Sequence, residues 1–148
     1  MNRKSSVARK APAEPAIEVM LTLMRAARAI EDRFDAALAK VNLSGPKFGA
    51  LSVLVKAGEP LSLGDLAAKL TCVRSNITQL VDRLAADGLV RRVNDPHDRR
   101  GKRAAITALG VKRRVAGAQA IAKIEKEMGA AMSGLDHAAL KRVLETFK

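Results

Sequence analysis

Six basic side chains, Arg91, Arg92, Arg99, Arg100, Lys102 and Arg103, fall within thirteen residues, with Asp95 and Asp98 the only acids among them. Guanidinium groups at this density suit a polyanion. Held at the tip of a hairpin, a guanidinium fits a narrow, electronegative DNA minor groove. A carboxylate such as Asp98 can fix the tip by pairing with a neighbouring arginine. The plainer reading is a solvated charge run. Just upstream, residues 74–86 carry Arg74, Ser75, Asn76, Thr78, Gln79, Asp82 and Arg83 on one side, with Ile77, Leu80, Val81 and Leu84 on the other. Asn and Gln match the paired donor and acceptor that adenine shows in the major groove, and Arg matches guanine. Ser75, Asn76 and Gln79 stand within one helical turn. The same face also serves as ordinary solvated helix surface, so on these residues alone both readings stay open.

Other reactive side chains are few. Cys72 is the one cysteine, which excludes an intrachain disulfide and a multi-cysteine zinc site. It precedes the helix of residues 74–86, where a thiolate is stabilised, so it is a candidate redox thiol. A small buried turn residue is the plainer reading. His97 and His137 are too far apart for a local metal site. There is no Gly-rich phosphate loop, nucleophile elbow or G-x-G-x-x-G. The chain therefore reads as non-enzymatic, with no catalytic residue, metal or cofactor.

The elements that must position these groups follow from periodicity. Residues 16–40 place Ile17, Met20, Leu21, Met24, Ala27, Ile30, Phe34 and Leu38 at helical spacing. Pro46 opens a second helix to about residue 56, stopped by Gly58 and Pro60. Ser62 with Asp65 is a capping box for a short helix near 63–70. The three residues Thr71, Cys72 and Val73 turn the chain into helix 74–86, which Asp87-Gly88 closes. Residues 89–93 and 103–107 read as the strands of a hairpin that must lean on the helices, because two strands alone are marginal. Residues 108–132 return to helix. After Ser133-Gly134, Asp136 caps a last helix to about Phe147. Residues 1–15, with Arg3, Lys4, Arg9, Lys10 and two prolines, read as a disordered basic arm.

Composition agrees. The chain has 148 residues and a net charge of +12, from 27 Lys+Arg against 15 Asp+Glu. That excess favours a phosphate backbone through counterion release. Trp and Tyr are absent and Phe numbers three, which disfavours single-strand binding on stacking platforms and points to duplex DNA. The 48% hydrophobic content supports a folded core. No apolar run approaches the ~18 residues of a membrane span. The basic N-terminus lacks the apolar stretch of a signal peptide, so the expectation is a cytoplasmic protein with no membrane partner.

Helix, short turn, helix and basic hairpin form a winged helix-turn-helix pattern, with the second helix in the major groove. Residues 61–107 resemble the MarR (multiple antibiotic resistance regulator) family. The wing follows that family's D-x-R-x-x-[KR]-V-x-L-T pattern through Asp98, Arg100, Arg103 and Thr107, with Ala104 and Ile106 where Val and Leu are usual. The segment VDRLAADGLVRR is similar to the family's recognition-helix exit.

The resemblance implies a mainly α fold with a small β-hairpin wing: one domain over 16–148, its winged helix-turn-helix core about 46–107 flanked by dimerisation helices about 16–40 and 108–147. It implies a homodimeric transcriptional regulator binding a pseudo-palindromic operator, and a repressor responsive to a small aromatic effector. Base contacts then fall on Ser75, Asn76 and Gln79. Arg99 or Arg100 enters the minor groove, with Arg99 favoured because Asp98 and Arg100 suit a restraining pair. Ser62, Arg74 and Thr78 lie near phosphates, while Asp98, Lys102 and Arg103 contact phosphate or support the wing 91–103. Phe48 and the Met20/Met24 face either line an effector pocket or pack in the core.

One departure concerns the start of the recognition helix. Val73 stands where Ser or Thr is usual and offers no capping oxygen, a loss of about 0.5–2 kcal/mol. Thr71 offers a cap with a shifted start, which leaves the register of the first turn open. The competing function is a nucleoid-type basic protein that coats DNA with little sequence preference.

Overall fold

The computed structural model describes residues 15–70 and 76–146. The basic arm, except Pro15, lies outside them, as do Thr71, Cys72, Val73, Arg74 and Ser75. The helices are α1 (Ala16–Ala39), α2 (Gly45–Ala57), α3 (Leu63–Lys69), α4 (Ile77–Ala86), α5 (Ala108–Met132) and α6 (His137–Glu145). The strands are β1 (Leu61–Ser62), β2 (Val90–Asn94) and β3 (Lys102–Ile106). The chain divides into two compact units, Met1–Asp32 and Arg33–Lys148.

Local chemistry sets most boundaries. Ser44 caps α2, its hydroxyl accepting from the Lys47 N–H, and Gly58 ends that helix in the left-handed region at φ 69°. Ser62 Oγ accepts from the Asp65 N–H at 3.1 Å and donates to Asp65 Oδ2 at 2.7 Å, the expected capping box. Thr107 caps α5 through the Gly110 N–H, and Asp136 caps α6 through the Ala139 N–H. The strands differ from expectation. Each is displaced by one residue, and β1 adds a third strand, giving the order β1-β3-β2. Leu61 pairs with Ala104 and Ser62 with Arg103. The hairpin is thereby hydrogen-bonded to the chain entering α3.

The core of the second unit gathers Leu38, Leu51, Leu54, Leu66, Val81, Leu84 and Leu89, all nearly inaccessible to solvent. Phe48 packs against this cluster. It faces Gly117, where an added Cβ would lie 2.7 Å from Phe48 Cδ2. Phe48 is thus half-buried at the edge of the core, where it packs against α5. Met20 and Met24 are exposed. Among the described residues no helix is long and apolar enough to cross a membrane.

The tightest join is at Gly110, where a Cβ would stand 2.1 Å from Leu89 O and 2.8 Å from Ile106 Cγ1. Leu89 O also accepts from the Thr107 N–H at 3.1 Å. Backbone held on both sides cannot yield easily. Gly110→Ala is therefore expected to destabilise the fold by about 1–3 kcal/mol. Gly64→Ala meets only Ser62 Oγ at 3.9 Å and should be neutral or stabilising, since alanine is the better helix former. Thermal melts of the two variants check this. Equal melting temperatures would contradict the close approach at Gly110.

Candidate nucleic-acid interface

The helix expected over 74–86 begins at Ile77. Its N-cap is Asn76, with φ −62° and ψ 108°. Asn76 Oδ1 accepts from the N–H groups of Thr78 at 3.1 Å and Gln79 at 3.4 Å. The helix starts later than expected and its capping oxygen is that of Asn76; the capping expectations for Thr71 and Val73 fall outside the described residues. Leu80, Val81 and Leu84 are buried, while Asn76, Thr78, Gln79, Asp82 and Arg83 are exposed. The polar face of α4 is thus presented to solvent by the burial of its apolar one. Ser75 and Arg74, assigned to a base and a phosphate, lie outside the described residues, as does the candidate redox thiol Cys72.

Two ion pairs hold α4 to its neighbours. Arg92 Nη2 of β2 meets Asp82 Oδ1 at 2.6 Å, and Lys47 Nζ of α2 meets Asp87 Oδ2 at 2.5 Å. Partly exposed pairs of this kind add little stability. Their effect is to fix how the helix lies against the wing and α2.

The wing is organised by its carboxylates. Asp95 Oδ2 accepts from Arg103 Nε at 2.9 Å, and Arg103 Nη1 donates to Pro60 O at 3.3 Å. Arg103 is thus a strut between the hairpin and the chain leading into β1. Asp98 does not pair with the Arg100 guanidinium, contrary to expectation. Its Oδ1 accepts from the Arg100 backbone N–H at 2.9 Å, and its carbonyl accepts from the Gly101 N–H at 3.0 Å. A short carboxylate reaches the main chain two residues on more readily than a side chain that extends away. Gly101 is needed here, because a Cβ would lie 3.0 Å from Asp95 Cβ and 3.1 Å from Asp98 Cβ. Lys102 Nζ donates to Asn94 Oδ1 across the strands at 2.5 Å.

The charge arrangement follows. Of the six wing cations, the ion pairs among the described residues engage Arg92 and Arg103, not Arg91, Arg99, Arg100 or Lys102. Arg99 and Arg100 are exposed at the tip. Ser62, by contrast, has its hydroxyl engaged in the capping box.

Arg103 beside Asp95, with the His97 N–H on the same carboxylate, holds the Asp95 carboxyl below its ordinary value of 3.8. Arg103 is correspondingly raised and stays charged. A carboxyl lowered on folding supports the wing above its unfolded value, and that support is lost as pH falls through the folded value. A carbon-13 titration of Asp95 should show a midpoint below 3.8, with wing shifts constant from neutral pH down to about pH 5. A midpoint at or above the ordinary value would contradict the strut.

Sequence reasoning missed Asp82, Lys47 and Asp87 as positioning residues, and read Asp95 as a turn residue without its pairing to Arg103. Asp82 and Arg92 are ten residues apart, and Lys47 and Asp87 forty. No local spacing signals either pair.

The sequence profile of the MarR family matches residues 41–101. The HTH-type transcriptional regulator MhqR of Bacillus subtilis is 31% identical over 98 residues, 66% of this chain and 67% of that protein. The chain spans 60% and 63% of the length of the first curated relatives it matches, HTH-type regulators at 32% and 30% identity. Among solved structures, a MarR-like transcription regulator from Bacillus cereus superposes with a TM-score of 0.75 at 22% identity, covering 88% of this chain and 94% of that one. CouR from Rhodococcus jostii, solved bound to p-coumaroyl-CoA, gives a TM-score of 0.65 at 26% identity, covering 88% and 89%.

Proposed function

Because the chain belongs to the MarR family of transcriptional regulators, not to a family of enzymes, we propose that it is a cytoplasmic, homodimeric, sequence-specific duplex-DNA-binding repressor. In this reading α4 enters the major groove and the wing tip, led by Arg99, enters the flanking minor groove. The carrying observation is the coupling of the two readers. The polar face of α4 and the cationic tip sit on one winged helix, tied together by Asp82 and Arg92. Gln79 and Asn76 face bases, Ser75 with them. Thr78, Arg74, Lys102 and the start of α3 at Ser62 lie along phosphates.

Dimerisation is supported by apolar surface that one chain leaves uncovered. Ile17, Met20 and Met24 of the first unit are exposed, as are Met132, Leu135, Val143 and Leu144 of the second. None of α6 is buried. A small aromatic effector is supported by the ligand seen in CouR. A cavity of about 580 Å³ between the end of α1 and α5, lined by Val41, Ala116, Ala120, Ile124 and Lys123, is a place for one. Binding there would act by shifting the separation of the two recognition helices.

Footprinting on the DNA flanking the gene tests the reading. A dimer should protect two half-sites about one helical turn (~10 bp) apart. Uniform protection without discrete edges would favour the coating protein instead.

A further inference from the structure

We infer that Asn76 reads its base as a hydrogen-bond donor only, and so selects against cytosine on the strand it faces at one position of each half-site. This rests on the DNA-binding reading above and refines it. An amide oxygen has two lone-pair sites; on Asn76 Oδ1 the Thr78 N–H takes one at 3.1 Å and the Gln79 N–H approaches the other at 3.4 Å. An unengaged asparagine grips adenine by taking the N6 hydrogen on its oxygen while giving one to N7. To make that pair Asn76 must withdraw its oxygen from the N–H groups at the start of α4, at the cost of the cap. Beyond its cap it presents Nδ2, a donor of two hydrogens and an acceptor of none.

The major-groove edges respond differently to such a group. Guanine offers O6 and N7, thymine O4 and adenine N7, whereas cytosine shows the N4 donor. A donor facing a donor leaves both unpaired where water is excluded. Gln79 is exposed on the same turn and enters the cap through its backbone N–H. The cap therefore leaves its side-chain amide both donor and acceptor, as a bidentate adenine contact needs. On this assignment the two amides of the helix do different work.

The test is in vitro selection from a random duplex library with the full chain, its Asn76→Asp variant and its Asn76→Ser variant. Asn76→Asp keeps an oxygen for the cap, favoured at a helix N-terminus, and turns the donor into an acceptor. One position of each half-site should change from cytosine-poor to cytosine-rich, by roughly fivefold or more, with the melting temperature held. Asn76→Ser keeps a capping hydroxyl but removes the amide, so the same position should lose its preference without inverting. An unchanged motif in both variants would overturn the inference. So would an Asn76→Asp loss equal across all sequences, which would place the residue against phosphate. If the unmodified protein enriches no motif, the DNA-reading assignment itself fails, and that is seen before any variant is compared.

Discussion

Alanine at both Arg99 and Arg100 is expected to weaken operator binding on the order of 100-fold at near-physiological salt, leaving the fold and the dimer intact. The two side chains stand exposed at the wing tip. The nearby carboxylates are engaged elsewhere: Asp98 on the Arg100 N–H, Asp95 on Arg103 and the His97 N–H. The tip is therefore built from main-chain hydrogen bonds and the Asp95–Arg103 strut, none of which needs either guanidinium. In the proposed dimer, removing them deletes four charges from the proposed DNA interface. The slope of log affinity against log salt should become shallower by about 3.6. Anisotropy titrations across a salt series measure both quantities. Unchanged affinity and slope would mean that the wing does not touch DNA.

If the exposed face of α6 forms the proposed dimer interface, Leu144→Asp should separate the subunits and with that abolish tight operator binding. Leu144 is 64% exposed in the single chain, and no other residue of α6 is buried there either. Covering a leucine contributes about 1.5–3 kcal/mol. A two-fold interface counts each residue twice, and the buried carboxylate adds its own penalty. The dimer dissociation constant should rise by at least roughly 100-fold. Sedimentation at micromolar concentration would then show a monomer with its helical spectrum retained, because the core around Leu51, Leu84 and Leu89 draws on no residue of α6. A Leu144→Asp protein that still sediments as a dimer would place the interface elsewhere.

Much of this architecture is legible in the residue order. Helix boundaries marked by a capping oxygen or a left-handed glycine, at Ser62, Asp136 and Gly58, appear where the sequence places them. What escapes is whatever depends on residues far apart in the chain. A two-residue strand such as β1 has no period to detect and exists because Ala104 and Arg103 pair with it. The start of α4 lies in a stretch, Arg74 to Thr78, that is polar except for Ile77 and holds several residues able to cap. Asn76 is the residue whose oxygen reaches two free N–H groups, those of Thr78 and Gln79. Within the wing, Asp98 and Arg100 suggest a pair by spacing alone. The antiparallel register instead brings Arg103, opposite Val93, within reach of Asp95. The reach of Phe48 toward α5 depends on the missing side chain at Gly117, a fact about two helices and not about either.

Selection of bound duplexes from a random library at near-physiological salt decides whether the protein is a dimeric reader of a specific duplex sequence. A dimeric reader should enrich a pseudo-palindrome whose half-site centres lie about one helical turn (~10 bp) apart. Strong retention of duplex DNA with no enriched motif would contradict it and leave a basic protein that coats DNA.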